Sequence, residues 1–117
     1  MPLDWENGPL AEGLACYRSR KFFDAHEHWE SVWLRSAEPE KCFLQALIQI
    51  AAALHHFDRG NRAGAASLLR RALRRLDAYP AAFGGVRVHA VRESLCAWLI
   101  ALDCAGPPAE LPFPPIR

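Results

Sequence analysis

The 117-residue chain has no threonine, few other β-branched residues and no sustained alternation of apolar and polar positions. Such a sequence offers no strand, so sheet-based folds are excluded. It also lacks an excess of charge, since 14 basic residues meet 13 acidic ones for a net charge of +1. That balance directs the whole chain neither to nucleic acid nor to a membrane surface. Its least charged stretch, Cys42 to Phe57, is too short to span a bilayer and holds two Gln and two His. The opening "MPLDWENGPLAEG" has no basic segment followed by an apolar run, so no secretory leader is expected. Cys16, Cys42, Cys96 and Cys104 form no Cys-x-x-Cys pair, and free thiols in a reducing cytoplasm are the expectation. There is no Gly-x-Ser-x-Gly and no Gly-rich phosphate loop, since "GGVRVH" lacks the lysine and the preceding strand.

What is present is helical periodicity in an ordinary globular composition, 51% hydrophobic and 23% charged. The fold class expected is all-α: a single domain over residues 1–117, arranged as a bundle of about five helices with a Pro-rich extended tail at 106–117. The first helix is expected from Pro9 to Ser19 and the second from Phe22 to Arg35, with Asp24 and Glu27 as a capping box. Glu38-Pro39 opens a third that runs to Arg59, where Gly60 suits a left-handed C-terminal cap and Asn61 an N-cap. Arg62 to Leu76 carries one apolar stripe, Ala65, Leu68, Leu69, Ala72, Leu73 and Leu76. The fifth helix runs from Val88 to Ala105 and is stopped by Gly106-Pro107-Pro108. Leu111, Phe113 and Ile116 then suit an extended strap lying on the bundle.

The segment "FFDAHEHWESVW" holds polar groups where apolar ones are expected. At about 100° per residue, Phe22, Ala25, Trp29, Val32 and Trp33 share one face, and His26 falls inside that arc. Glu30 lies one turn along and Glu27 at the edge. On the third helix Gln45, Gln49 and His56 form a narrow stripe beside Ala52 and Ala53. A desolvated Gln or His left unpaired costs about 1–3 kcal/mol, so partners are expected. Antiparallel packing would face His26 and Glu30 towards Gln45, Gln49 and His56 across a shared polar seam. Trp29 and Trp33 read as packing anchors, His28 and His89 as surface or edge residues, and His55 as a hydrogen-bonded core histidine.

Three functional readings follow. In the first the chain is a non-enzymatic binding or scaffold protein, without a cofactor, whose seam (His26, Glu27, Glu30, Trp33, Gln45, Gln49, His56) is structural or grips a small ligand. In the second a divalent metal is held by His26, Glu30 and His56 with Glu27 as general base for hydrolysis. "HEHWE" is not His-Glu-x-x-His, however, and the Glu-x-x-His pair of di-iron bundles is missing. In the third the basic face of Arg70, Arg71, Arg74 and Arg75 meets phosphate or nucleic acid, although no aromatic interleaving accompanies it. The aromatic content also suits a homo-oligomer.

"FFDAHEHWESVW" followed by "LQALIQIAAALHHFDRGNRAGAASLLRRAL" resembles the domain-of-unknown-function 309 family, across the motif-bearing core 22–76 and again at "YP" and "PFPPI". The resemblance implies a small helical bundle with no established activity. It maps the family's characteristic positions onto His26, Glu27, Trp29, Glu30, Trp33, Gln45, Gln49, His56, Gly60, Asn61 and Gly64. Asp24 stands where that family more usually has Glu, and His55 where Tyr is common.

Overall fold

The uncharged segment noted above becomes the helix around which the others are arranged. The computed structural model describes residues 3–104 and 111–117. Five helices follow one another: α1 (Gly8–Arg18), α2 (Phe22–Trp33), α3 (Glu40–Asp58), α4 (Arg62–Leu76) and α5 (Val88–Asp103). Each packs chiefly on its neighbour in sequence, as short connections dictate. No strand is present among the described residues beyond an isolated Phe83–Val86 bridge. None of the described helices is long and apolar enough to cross a membrane.

Helix boundaries follow the local chemistry. Asn61 caps α4, its side-chain oxygen accepting from the Gly64 amide at 2.9 Å, and Gly60 takes the left-handed turn at φ 83°. α2 departs from the expected capping box: its N-cap is Lys21, and Asp24 already lies in the first turn. The helix starts at Phe22 because burying that ring, 2% exposed, outweighs the missing cap. Its end also comes earlier than expected, with Arg35 and Ser36 tightening into i→i−3 bonds to Val32 and Trp33. α3 begins at Glu40, and the Glu38 carboxylate outside it accepts from the Cys42 amide at 2.7 Å.

α1 and α2 approach closely through one glycine. Trp29 is fully buried, and its indole N–H donates to the Leu10 carbonyl at 3.3 Å. The indole lies over Gly13, where an added Cβ would overlap the ring atoms. Glycine inside this helix therefore serves the packing of α2 rather than any turn. Trp5 and Tyr17 complete the aromatic cluster, with ring centroids 6.2 and 5.6 Å from Trp29.

Residues 111–117 have no regular structure and lie against the bundle. The Trp98 indole donates to the Pro112 carbonyl at 3.0 Å and the Tyr17 hydroxyl to the Pro114 carbonyl at 2.7 Å. Phe113 meets Phe22 edge-on at 5.1 Å, and Ile116 is 1% exposed. The expected stop at Gly106-Pro107-Pro108 and the first part of the tail lie outside the described residues.

Gly13→Ala should lower stability by about 1–3 kcal/mol through overpacking against Trp29, read as a drop in urea midpoint at unchanged slope. A second expectation concerns alkali. Burial pushes the Tyr17 hydroxyl far above its ordinary 10.0. Tyr79 is pushed up to about 12 by burial, reinforced by Cys42, Glu38 and Glu40. Both folded-state values exceed the unfolded one, so their contribution is complete below pH 10.0 and is lost as pH rises beyond it. Denaturant titrations between about pH 9 and 11 should show stability falling, and Tyr17→Phe should flatten that fall.

Candidate functional site

Two neighbours define the two sides of α3. The Lys41 ammonium sits over the Trp33 ring at 4.6 Å, and His55 meets Phe23 at 5.4 Å, so Lys41 and His55 mark the side facing α2. Cys42 receives the Arg75 guanidinium at 3.2 Å, and Gln49 shares a cleft with α4, so these two mark the other side. At about 100° per residue, Gln45, Gln49, Ala52 and His56 fall on the arc between those sides. The stripe thus runs along the outer face of α3, with α2 on one flank and α4 on the other.

The seven seam residues take distinct positions along this face. His26 is 27% exposed, and its Nε2 lies 3.2 Å from Glu30 Oε2 on the same helix. Its ring stacks obliquely near Phe23 at 5.9 Å. Glu27 is exposed, while Trp33 and Gln45 are half-buried. Gln49 is only 8% exposed, the most buried of the set. His56 ends its helix beside Asn61, with His56 Nδ1 and Asn61 Nδ2 3.3 Å apart. Among the described residues no hydrogen bond joins His26 or Glu30 to Gln45, Gln49 or His56. Two buried side-chain polar atoms there have no protein partner: His26 Nδ1 and Gln49 Oε1.

The metal reading is corrected by this placement. His26 and Glu30 adjoin, but no three His, Cys, Asp or Glu side chains come together among the described residues. His56 Nδ1 is engaged by Asn61 in the turn into α4. A stable tetrahedral or octahedral centre needs more donors in one place than that. His55 is also not the hydrogen-bonded core histidine expected; it is half-buried between the Phe23 and His56 rings. His28 is half-exposed, 3.5 Å from Glu12.

The four arginines of α4 divide. Arg71, Arg74 and Arg75, at i, i+3 and i+4, line a cleft of about 380 Å³ together with Gln49. Arg70 does not line it and points to solvent.

A larger cleft, about 470 Å³, lies where the first residues and α1 meet the α2–α3 turn, with Leu3, Pro9, Leu10 and Val32 as apolar lining. Sequence reading missed it because its walls come from segments that carry no motif. Most of its polar groups are committed to nearby backbone. Asp4 accepts from the Glu6 and Asn7 amides, Ser36 donates to Val32, Arg35 to Ser31, and Glu38 accepts from Cys42.

The chain is similar to proteins already known. The family model described as Domain of unknown function (DUF309) matches residues 10–68. An uncharacterized protein from Aquifex aeolicus (strain VF5) is 32% identical over 101 residues, 85% of this chain, and the match spans 30% of that protein's own length. The crystal structure of a conserved hypothetical protein from Thermus thermophilus superposes with a TM-score of 0.68 at 31% identity, covering 86% of this chain and 100% of that one.

Since Gln49 Oε1 has no protein partner, replacing the amide by an apolar group of similar size should not destabilise the fold. Gln49→Leu is expected to leave stability unchanged or raise it by about 1 kcal/mol in chemical denaturation. A loss of about 1–3 kcal/mol would instead reveal an internal network.

Proposed function

The chain belongs to the family described as Domain of unknown function (DUF309), and we propose that it acts as a non-enzymatic binding module whose contact surface is the outer face of α3. The flanks of that surface are His26, Glu30 and Trp33 on α2 and the arginines of α4. The observation that supports this reading is the pair of partnerless buried atoms, His26 Nδ1 and Gln49 Oε1. Leaving such groups unpaired costs about 1–3 kcal/mol each, and folded proteins retain few of them. A side chain with no internal bond to lose can turn on binding and bring such an atom to an incoming molecule that supplies the missing partner.

Binding rather than turnover is favoured by the company the histidines keep. The polar partners of their rings are carboxylates, an amide and a backbone carbonyl; no serine or cysteine side chain hydrogen-bonds a histidine ring among the described residues. A serine or cysteine nucleophile beside its base, as covalent acyl transfer requires, is therefore not assembled among the described residues. The match inside a much longer Aquifex protein suits a module that is used as a part. The proposed setting is the cytoplasm, in keeping with four free cysteines.

The test is amide chemical-shift mapping of the isotope-labelled protein against the small-molecule fraction of a cell extract. Shifts should concentrate on residues 45–56 and the facing parts of α2 and α4, and should vanish in Gln49→Leu. Shifts confined to Asp4, Asn7 and Glu38 would place binding in the larger cleft and overturn the proposal.

A further inference from the structure

We infer that the α4 flank of this surface is a phosphate-binding cleft, in which Arg71, Arg74 and Arg75 with Gln49 receive the terminal phosphate of a small phosphorylated molecule. This deepens the reading of the α3 face as a binding surface and rests on it.

The first ground is uncompensated charge. The ion pairs among the described residues are Arg20–Asp58, His26–Glu30, His28–Glu12 and Arg92–Asp77, and none of them involves these three arginines. The side chains of Arg71 and Arg74 have neither an ion pair nor a hydrogen bond within the described chain. Three guanidiniums gathered around one cleft repel one another, and an anion among them relieves that repulsion. Glu27, Glu30, Glu38 and Glu40 form no ion pair with these arginines among the described residues.

The second ground is the floor. Gln49 is more than nine-tenths buried, yet its oxygen has no protein partner. Its amide nitrogen has none either and is absent from the buried unpaired atoms, so the nitrogen is the part that meets solvent in the cleft. Every polar group lining the cleft can thus present N–H, and no carboxylate competes with an incoming anion. Arg75 is already held in place by Cys42, so one of the three forks is preorganised.

Donor count points to phosphate over carboxylate. A carboxylate offers two oxygens and is satisfied by one or two forks, whereas three forks and an amide suit a terminal phosphate with three. A small molecule is favoured over single-stranded nucleic acid because stacking platforms are missing. The large exposed hydrophobics are Phe23, Leu34 and Ile100, and none lies on α4.

The experiment is calorimetric titration of the intact protein with inorganic phosphate and pyrophosphate at fixed ionic strength, alongside sodium chloride and a single-stranded oligonucleotide. Pyrophosphate should bind saturably at one site per chain. Arg71→Gln with Arg74→Gln should weaken it about tenfold or more, since each charge-assisted hydrogen bond is worth that much. Arg70→Gln, which removes the same charge from the same helix outside the cleft, should leave it unchanged. These side chains are exposed, so circular dichroism should show all variants folded. Equal weakening by Arg70→Gln would overturn the cleft in favour of diffuse attraction. An oligonucleotide that binds more tightly than pyrophosphate, with a steep salt dependence, would overturn the small-phosphate assignment. If pyrophosphate fails to bind while extract-induced shifts on α3 persist, the phosphate inference falls and the binding surface stands; if both are absent, both fall.

Discussion

Desolvation of α3 is the constraint on which the rest of the molecule depends. From Cys42 to Phe57 that helix carries no formal charge, so α2 and α4 can close on it without stranding an ion. A single Lys or Glu in the middle of this stretch would need either a partner or a path to water. The polar residues that remain, two amides and two imidazoles, are the most a buried helix tolerates when each can reach an edge. They are collected on one arc, which leaves the opposite side free to fill the core with Phe43, Leu47, Ile50 and Leu54.

The same constraint shapes the proposed binding surface. With no charge of its own, the outer face of α3 takes its electrostatic character from its neighbours. On the α2 flank the His26 ring and the Glu30 carboxylate lie 3.2 Å apart. On the α4 flank, Arg71, Arg74 and Arg75 form no ion pair among the described residues. The chain is close to neutral as a whole, yet this face is polarised from one side to the other. A ligand with an anionic end and an uncharged body would lie across it in one orientation, which makes the polarity a source of specificity as well as attraction.

Much of this was legible in the residues. The bounds of α4 were, because Gly60 and Asn61 are punctuation with a single physical reading, and the apolar stripes of α4 and α5 set their inward faces. The start of α2 at Phe22 was legible too, but the capping box at Asp24 and Glu27 was not formed, because Asp24 already lies in the first turn. Angular reasoning placed Gln45, Gln49 and His56 on a common stripe, but a helical wheel says which residues share a direction and not which neighbour lies there. Gln49 accordingly turned out to border α4's arginines, where proximity in sequence had suggested α2. The candidate metal ligands were limited in the same way: His26 and His56 both lie toward the Phe23–His55 end of the α2–α3 pair, yet among the described residues no three ligand-type side chains come together. The cleft beside Leu3 and Glu38 was invisible because it is made by turns, whose convergence has no periodicity to read.

The strap at 111–117 has a consequence for how the chain reaches its final form. The bond from the Tyr17 hydroxyl to the Pro114 carbonyl joins positions 97 apart in sequence, so it closes one of the longest loops in the molecule. Loop-closure entropy grows only with the logarithm of length, about 0.6 kcal/mol per doubling, so once the helices have formed, drawing in the strap adds little to that cost. Helical hairpins, whose contacts are local, can be in place before it docks. Phe113 rests on Tyr17 of α1 and Phe22 of α2, so lifting the strap away would uncover those rings without unwinding any helix.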